Sequence, residues 1–172
     1  MALPDDPTDD IFLPDGHLRR DLFSEPALTA LHESVRYSGE TRWDSVRSPH
    51  LFMGLLSTPD AAIRNWGERL GADLPRLLDQ FCELFHQDDG EGGHLLRLHR
   101  EFLSDNVLRV LREGRQRSLD HQRDSVSAMD LLISLFTTPQ SIVAECFERI
   151  GVTAAKLTEL AVMAEQFANA PR

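Results

Sequence analysis

Seven histidines, two cysteines and a single lysine are the residues from which this 172-residue chain would have to build a metal site, a nucleophile or a phosphate-binding loop. His94 and His99 are five apart, the wrong spacing for the i, i+4 pair of a helical zinc site. His32 and His50 fall in expected helices, where a hydrogen-bonded structural histidine is the plainer reading. Cys82 and Cys146 are isolated, with neither CxxC spacing nor a catalytic signature, and read as reduced, buried or half-buried thiols. No GxSxG occurs. The lone lysine, Lys156, sits in "GVTAAKL" without the glycines of GxxxxGK[ST], so the standard P-loop for ATP is missing. The expectation is a chain with no catalytic residue, no cofactor and no metal, whose work is binding.

Aromatic residues offer a different chemistry, that of contact. Trp66 follows Ile63 by three and precedes Leu70 by four, a helical core spacing. Trp43 lies in a polar loop beside Asp44, where it either folds back onto its own surroundings or anchors a partner, tryptophan being a favoured hot-spot residue. "IFLP" at Ile11–Pro14 reads as a self-docking arm or as a short peptide ligand for a partner. The "DDPTDD" run before it reads as a solvated tail.

Composition narrows the classes. With 41% hydrophobic and 27% charged residues, the chain suits one globular domain with a real core. Its 28 acidic residues against 18 basic ones give a net charge of −10, which repels phosphate backbones and argues against nucleic acid. No apolar run approaches the roughly 18–20 residues of a membrane helix. The acidic N-terminus lacks a signal peptide's basic start and apolar core, so the cytoplasm is the expected location.

These residues are set on a repeated frame. "DSVRSPHLFMGLLSTP" (Asp44 to Pro59) returns as "DSVSAMDLLISLFTTP" (Asp124 to Pro139), and an offset of eighty residues holds without gaps from Phe23 to Asp79. Ser24 falls on Ser104, Leu31 on Leu111, Leu55 on Leu135, and "ERLG" at Glu68–Gly71 on "ERIG" at Glu148–Gly151. Two unrelated helical stretches would match apolar positions but would rarely match the Asp-Ser-Val, Thr-Pro and Gly positions as well, so the chain is read as a tandem duplication.

Each unit reads as four helices. Ser24 and Ser104 cap the first, Ser48 caps the second in one unit, and Ser127 with Asp130 forms a capping box in the other. The second helices are apolar almost all round, which places them mid-bundle. Thr58-Pro59 and Thr138-Pro139 are expected to start the third helices and Gly71 and Gly151 to end them. Asp73 and Thr153 cap the fourth. No strand pattern is present. The fold class is therefore all-α, two four-helix units related as a pseudo-dimer. An acidic extension covers 1–21, the units cover 22–86 and 103–168, and a Gly/Asp-containing linker at 87–102 joins them into one domain.

This pattern resembles the N-terminal (Clp repeat) domain of Clp-type AAA+ unfoldases and disaggregases. "SPHLFMGLL" with "ERLGADLPRL", and "SAMDLLISLF" with "ERIGVTAAKL", carry the likeness over roughly Leu22 to Phe167. The resemblance implies a protein-binding module that recognises protein or peptide substrates or an adaptor for an AAA+ unfoldase ring, with any ATPase activity outside these residues. It also implies a monomeric isolated domain. The alternative is a freestanding regulator or secretion-system accessory that binds one dedicated partner. The family often keeps a glutamate at the start of the buried helix, used in some branches to hold the guanidinium of phosphorylated arginine. Here Pro49 and Met129 stand there instead, beside Trp43 and Arg123 in the preceding loops. These four are the expected contact residues, with an apolar or aromatic ligand favoured over a guanidinium; the alternative is that Pro49 and Met129 merely start and pack their helices.

Overall fold

The computed structural model describes residues 11–90 and 95–169. The DDPTDD run and His94 lie outside the described residues. Eight α-helices follow in order among them: α1 (Glu25–Glu40), α2 (Ser48–Ser57), α3 (Ala61–Leu70), α4 (Leu74–Phe85), α5 (Asp105–Asp120), α6 (Ala128–Thr137), α7 (Ile142–Glu148) and α8 (Ala154–Asn169). Single 3-10 turns at Arg20–Leu22 and Arg100–Phe102 precede α1 and α5. The eighty-residue offset places α1 on α5 and α2 on α6 to the residue, and starts α8 where α4 starts. The expected all-α tandem of four-helix units is the observed one.

The caps explain why helices begin where they do. Ser24 Oγ accepts from Ala27 N and Ser104 Oγ from Val107 N, the same bond in both units. Asp73 and Thr153 cap α4 and α8 through Arg76 N and Lys156 N. Three expected boundaries move. Arg47, not Ser48, is the N-cap of α2, with Ser48 and Pro49 already inside the first turn. The third helices start after Asp60 and Ser141, whose side chains accept from Ile63 N and Ala144 N. Thr58 and Thr138 instead end α2 and α6. A proline one or two residues ahead of a good acceptor is a weaker start signal than the acceptor itself. Gly71 closes α3 in the left-handed conformation at φ 75°. In the second unit α7 ends at Glu148, and a further turn runs on to Gly151 at φ 89°.

The core is shared between the units. All residues from Ser48 to Leu56 in α2, and from Ala128 to Phe136 in α6, are buried. Each fully buried Leu, Ile or Phe here is worth about 1.5–3 kcal/mol of transfer free energy. Phe52, Trp66, Phe81, Phe136 and Phe147 meet ring to ring across the two units, with Phe52–Phe81 centroids 4.8 Å apart and Trp66–Phe136 5.6 Å apart. Gly54 lets α2 cross α1 closely, since a Cβ there would lie 2.2 Å from Ala30 O.

Two short parallel bridges interlock the units. Val46 N donates to Phe102 O while Ser104 N donates to Val46 O; eighty residues away, Val126 N donates to Leu22 O and Ser24 N to Val126 O. Each unit's loop thus borrows backbone partners from the other unit's entry strand. The IFLP segment docks on the same molecule: Ile11 and Phe12 are in the core, and Leu18 N donates to Leu98 O.

Candidate protein-binding site

The two buried helices start with different chemistry at the same position. In the first unit His50 is fully buried. Its Nδ1 accepts from Arg47 N at 2.9 Å, so its Nε2 carries the proton and donates to Thr41 Oγ1 at 3.0 Å. Thr41 Oγ1 in turn donates to Tyr37 O at 2.7 Å. Burial, and then the Arg47 charge, push the imidazole pKa down to about 4, so the ring is neutral near pH 7.

In the second unit the matching residue is Asp130, also fully buried. It accepts from Arg117 Nη1 at 2.7 Å, from Arg123 Nη2 at 2.6 Å and from Ser127 N at 2.8 Å. Burial raises its pKa, but the Arg123 bond, the Ser127 N–H and the Arg117 bond together outweigh burial and hold it below the usual carboxylate range. Arg117 also makes a bidentate pair with Glu165 on α8, both distances 2.8 Å.

The four expected contact residues flank these starts. Trp43 folds back onto its own unit: its Nε1 donates to Phe85 O at 2.6 Å, its ring meets His50 at 5.5 Å, and the Arg47 guanidinium lies 5.1 Å over its face. Arg123 is half-buried, with its guanidinium spent on Asp130. Pro49 and Met129 are buried, Met129 being 2% exposed. Trp43 and Pro49 lie at one helix start and Arg123 and Met129 at the other. The two pairs form separate clusters, and only Trp43 and Arg123 keep surface.

An apolar groove elsewhere offers more. It encloses about 520 Å³ between α4 and α7, lined by Leu77, Phe81, Leu84, Cys146, Phe147 and Ile150 with Gln80 and Glu83 at the edge. Phe81 and Phe147 make the floor, ring centroids 6.1 Å apart, while Leu84 is 62% and Ile150 73% exposed. Burial raises the Cys146 thiol pKa, which keeps it protonated and unreactive. Apolar periodicity alone does not mark this groove, because Phe81, Val143 and Phe147 are buried like core residues and only Leu84 and Ile150 stay largely exposed. Such a groove can take up apolar side chains from another chain without covalent chemistry.

No family model matches the chain, and no curated protein matches it by sequence. Solved structures do. The N-terminal domain of the protease-associated chaperone ClpD from Arabidopsis thaliana is 18% identical at a TM-score of 0.64, over 84% of this chain and 95% of that one. The Hsp104 N-terminal domain from Candida albicans is 12% identical at 0.68, over 87% and 93%. A ClpV N-domain, solved in complex with a VipB peptide, is 15% identical at 0.60, over 83% and 86%. This is the Clp N-domain fold. In this Clp N-domain fold Lys156 stands in the first turn of α8, 3.7 Å from Glu159. No helix among the described residues is long and apolar enough to cross a membrane.

Proposed function

We propose that the chain is a non-catalytic recognition module that captures protein substrates or adaptors for a Clp-type AAA+ unfoldase. The observation that carries this reading is the Clp N-domain fold with an open apolar groove on its surface. The peptide complex of the ClpV N-domain, a chain of the same fold, supports it. An apolar groove suits clients that expose apolar side chains in no fixed order. Any contact at the two helix starts falls to the half-exposed Trp43 and Arg123, with Pro49 and Met129 packing beneath them. The acidic balance keeps nucleic acid off the surface, and the cytoplasm is the compartment this reading assigns.

Isotope-labelled protein titrated with a permanently unfolded protein, such as reduced and alkylated lactalbumin, tests the reading. Saturable shifts of surface resonances are expected, with no change on adding ATP and no ATP hydrolysis. A chain that ignores unfolded protein, or that turns over ATP, overturns the proposal.

A further inference from the structure

The repeat symmetry also breaks in how the third and fourth helices pack, and the groove lies there. α8 packs along α3, with Trp66 Nε1 donating to Leu157 O across the joint. The repeat-related pair, α4 and α7, has no comparable packing. The residues at the two joints also differ. Phe81 and Phe147 meet between α4 and α7, whereas the residues eighty positions away from them are Ala161 and Gly67. At Gly67 the atoms nearest an added Cβ belong to Leu74 of α4. α7 is also shorter, seven residues against ten in α3, which leaves Ile150 beyond its end with 73% of its surface free.

Charge says what fits. Glu83 lines the groove on the α4 side, and Glu145 and Glu148 line an adjoining depression on α7. None of these three carboxylates pairs with a cation among the described residues. Arg149 is the basic residue beside them, on a chain of net charge −10. An acidic partner would meet Glu83 at the groove's edge and two carboxylates against one arginine on the neighbouring face of α7. A partner with basic residues flanking apolar ones would place the apolar side chains on Phe81 and Phe147 and its cations by the carboxylates.

We propose that the α4–α7 groove binds a short peptide segment whose apolar residues are flanked by lysine or arginine. This rests on the reading of the chain as a protein-recognition module and assigns that module a site and a ligand chemistry. Leu84 and Ile150 are the apolar lips; Glu83 and Glu148 select the flanking charge.

Two fluorescein-labelled peptides with the same leucine and phenylalanine residues, one flanked by lysines and one by glutamates, test it by anisotropy. Saturable binding of the lysine peptide is expected, weakening as salt rises, with the glutamate peptide binding about tenfold or more weaker. The double variant Leu84→Ser/Ile150→Ser changes only exposed side chains, so it should melt like the parent while losing about tenfold or more in affinity. Glu83→Lys with Glu148→Lys should reverse the peptide preference. Equal binding of both peptides overturns the assignment, as does binding that L84S/I150S leaves unchanged. A concentration-dependent dimer that this double variant abolishes would also overturn it, making a second copy of the chain the occupant. If unfolded lactalbumin still binds L84S/I150S at parental affinity, the groove assignment falls while the recognition-module reading stands. If neither lactalbumin nor either peptide binds the parent, both fall.

Discussion

The starts of α2 and α6 occupy equivalent places, yet one is neutral and the other ionic. At α2 a single imidazole takes the Arg47 N–H and gives its proton to Thr41. At α6 a carboxylate holds the cap through Ser127 N and gathers Arg117, Arg123 and, through Arg117, Glu165. A buried polar group must be satisfied, and a buried charge must be both paired and hydrogen-bonded. The neutral solution is local, using residues within ten positions of one another. The ionic one ties the loop before α6 to α5 and to α8. The second unit therefore concentrates its specificity in a network that fails as a whole, and the first does not.

Removing the acceptor tests that contrast most severely. Asp130→Ala takes its carboxylate partner from Arg123, 31% exposed, leaves Arg117, 15% exposed, with Glu165 alone, and removes the cap of Ser127 N; it should cost about 3–5 kcal/mol. His50→Ala loses a neutral cap and leaves the Thr41 hydroxyl without its ring partner, for about 1–3 kcal/mol. Urea denaturation of the two variants measures both. If Asp130→Ala is no worse than His50→Ala, the network is not what holds the second start.

The apolar part of the two helices supplies the control. Leu55 and Leu135 are buried at equivalent places, 0% and 1% exposed, and Leu→Ala at each should cost about 2–5 kcal/mol. Similar losses would confine the difference between units to their polar starts. A Leu135→Ala protein that melts like the parent would mean that α6 is not the buried helix it is taken to be.

Much of this frame was legible before any coordinates. Ser24, Ser104, Asp73, Thr153 and the Ser127–Asp130 box act within one helical turn, so local sequence determines them. The eighty-residue register was legible because matched caps and glycines constrain it as strongly as matched apolar positions do. The His50 reading as a structural histidine also stands. The site was less legible. Pro49 and Met129 were expected at a contact surface and pack inward, because the loops carrying Trp43 and Arg123 fold over the helix starts. Arg117 reaches Glu165 across 48 positions, and nothing local announces that pair. The groove escaped for a related reason: it depends on which of two symmetric joints closes, a tertiary outcome that the apolar periodicity of α4 and α7 does not encode.

Acid separates the two starts along the pH axis. Unfolded His50 takes a proton near its ordinary 6.5, whereas the folded ring resists until about 4. Between those values the unfolded chain binds more protons, so stability falls as pH drops from about 6.5 towards 4. The loss attributable to His50 approaches about 3 kcal/mol at the acid end. Asp130 has a folded pKa below its ordinary 3.8, so its contribution is intact above that value and is lost only as pH falls further. His50→Gln, a neutral side chain that can still accept at the cap, should flatten the upper window and leave the lower one. Urea denaturation of parent and variant at pH 7, 5 and 3 reads this out; parallel profiles from pH 7 to 5 would show that His50 is not the group titrating.

The smallest expected effect lies where the units are alike. Ser24 and Ser104 carry the same cap bond, Oγ to the N–H three residues on, at 3.3 Å and 3.2 Å. Both begin sixteen-residue helices, both have backbone in the extended region, and both donate their N–H into the interlocking bridges, to Val126 O and Val46 O. Neither bond involves an ion, so neither shares in the asymmetry of the helix starts. Ser→Ala at each should cost about 1 kcal/mol. The two costs should match within a few tenths and add in the double variant, since the sites share no side-chain partner. Paired urea titrations resolve a difference of that size if the denaturant slope is unchanged. Unequal losses would mean that the ionic network of the second unit stiffens α5 as far as its N-terminus, through Arg117, and that the contrast between the units extends beyond the starts of α2 and α6.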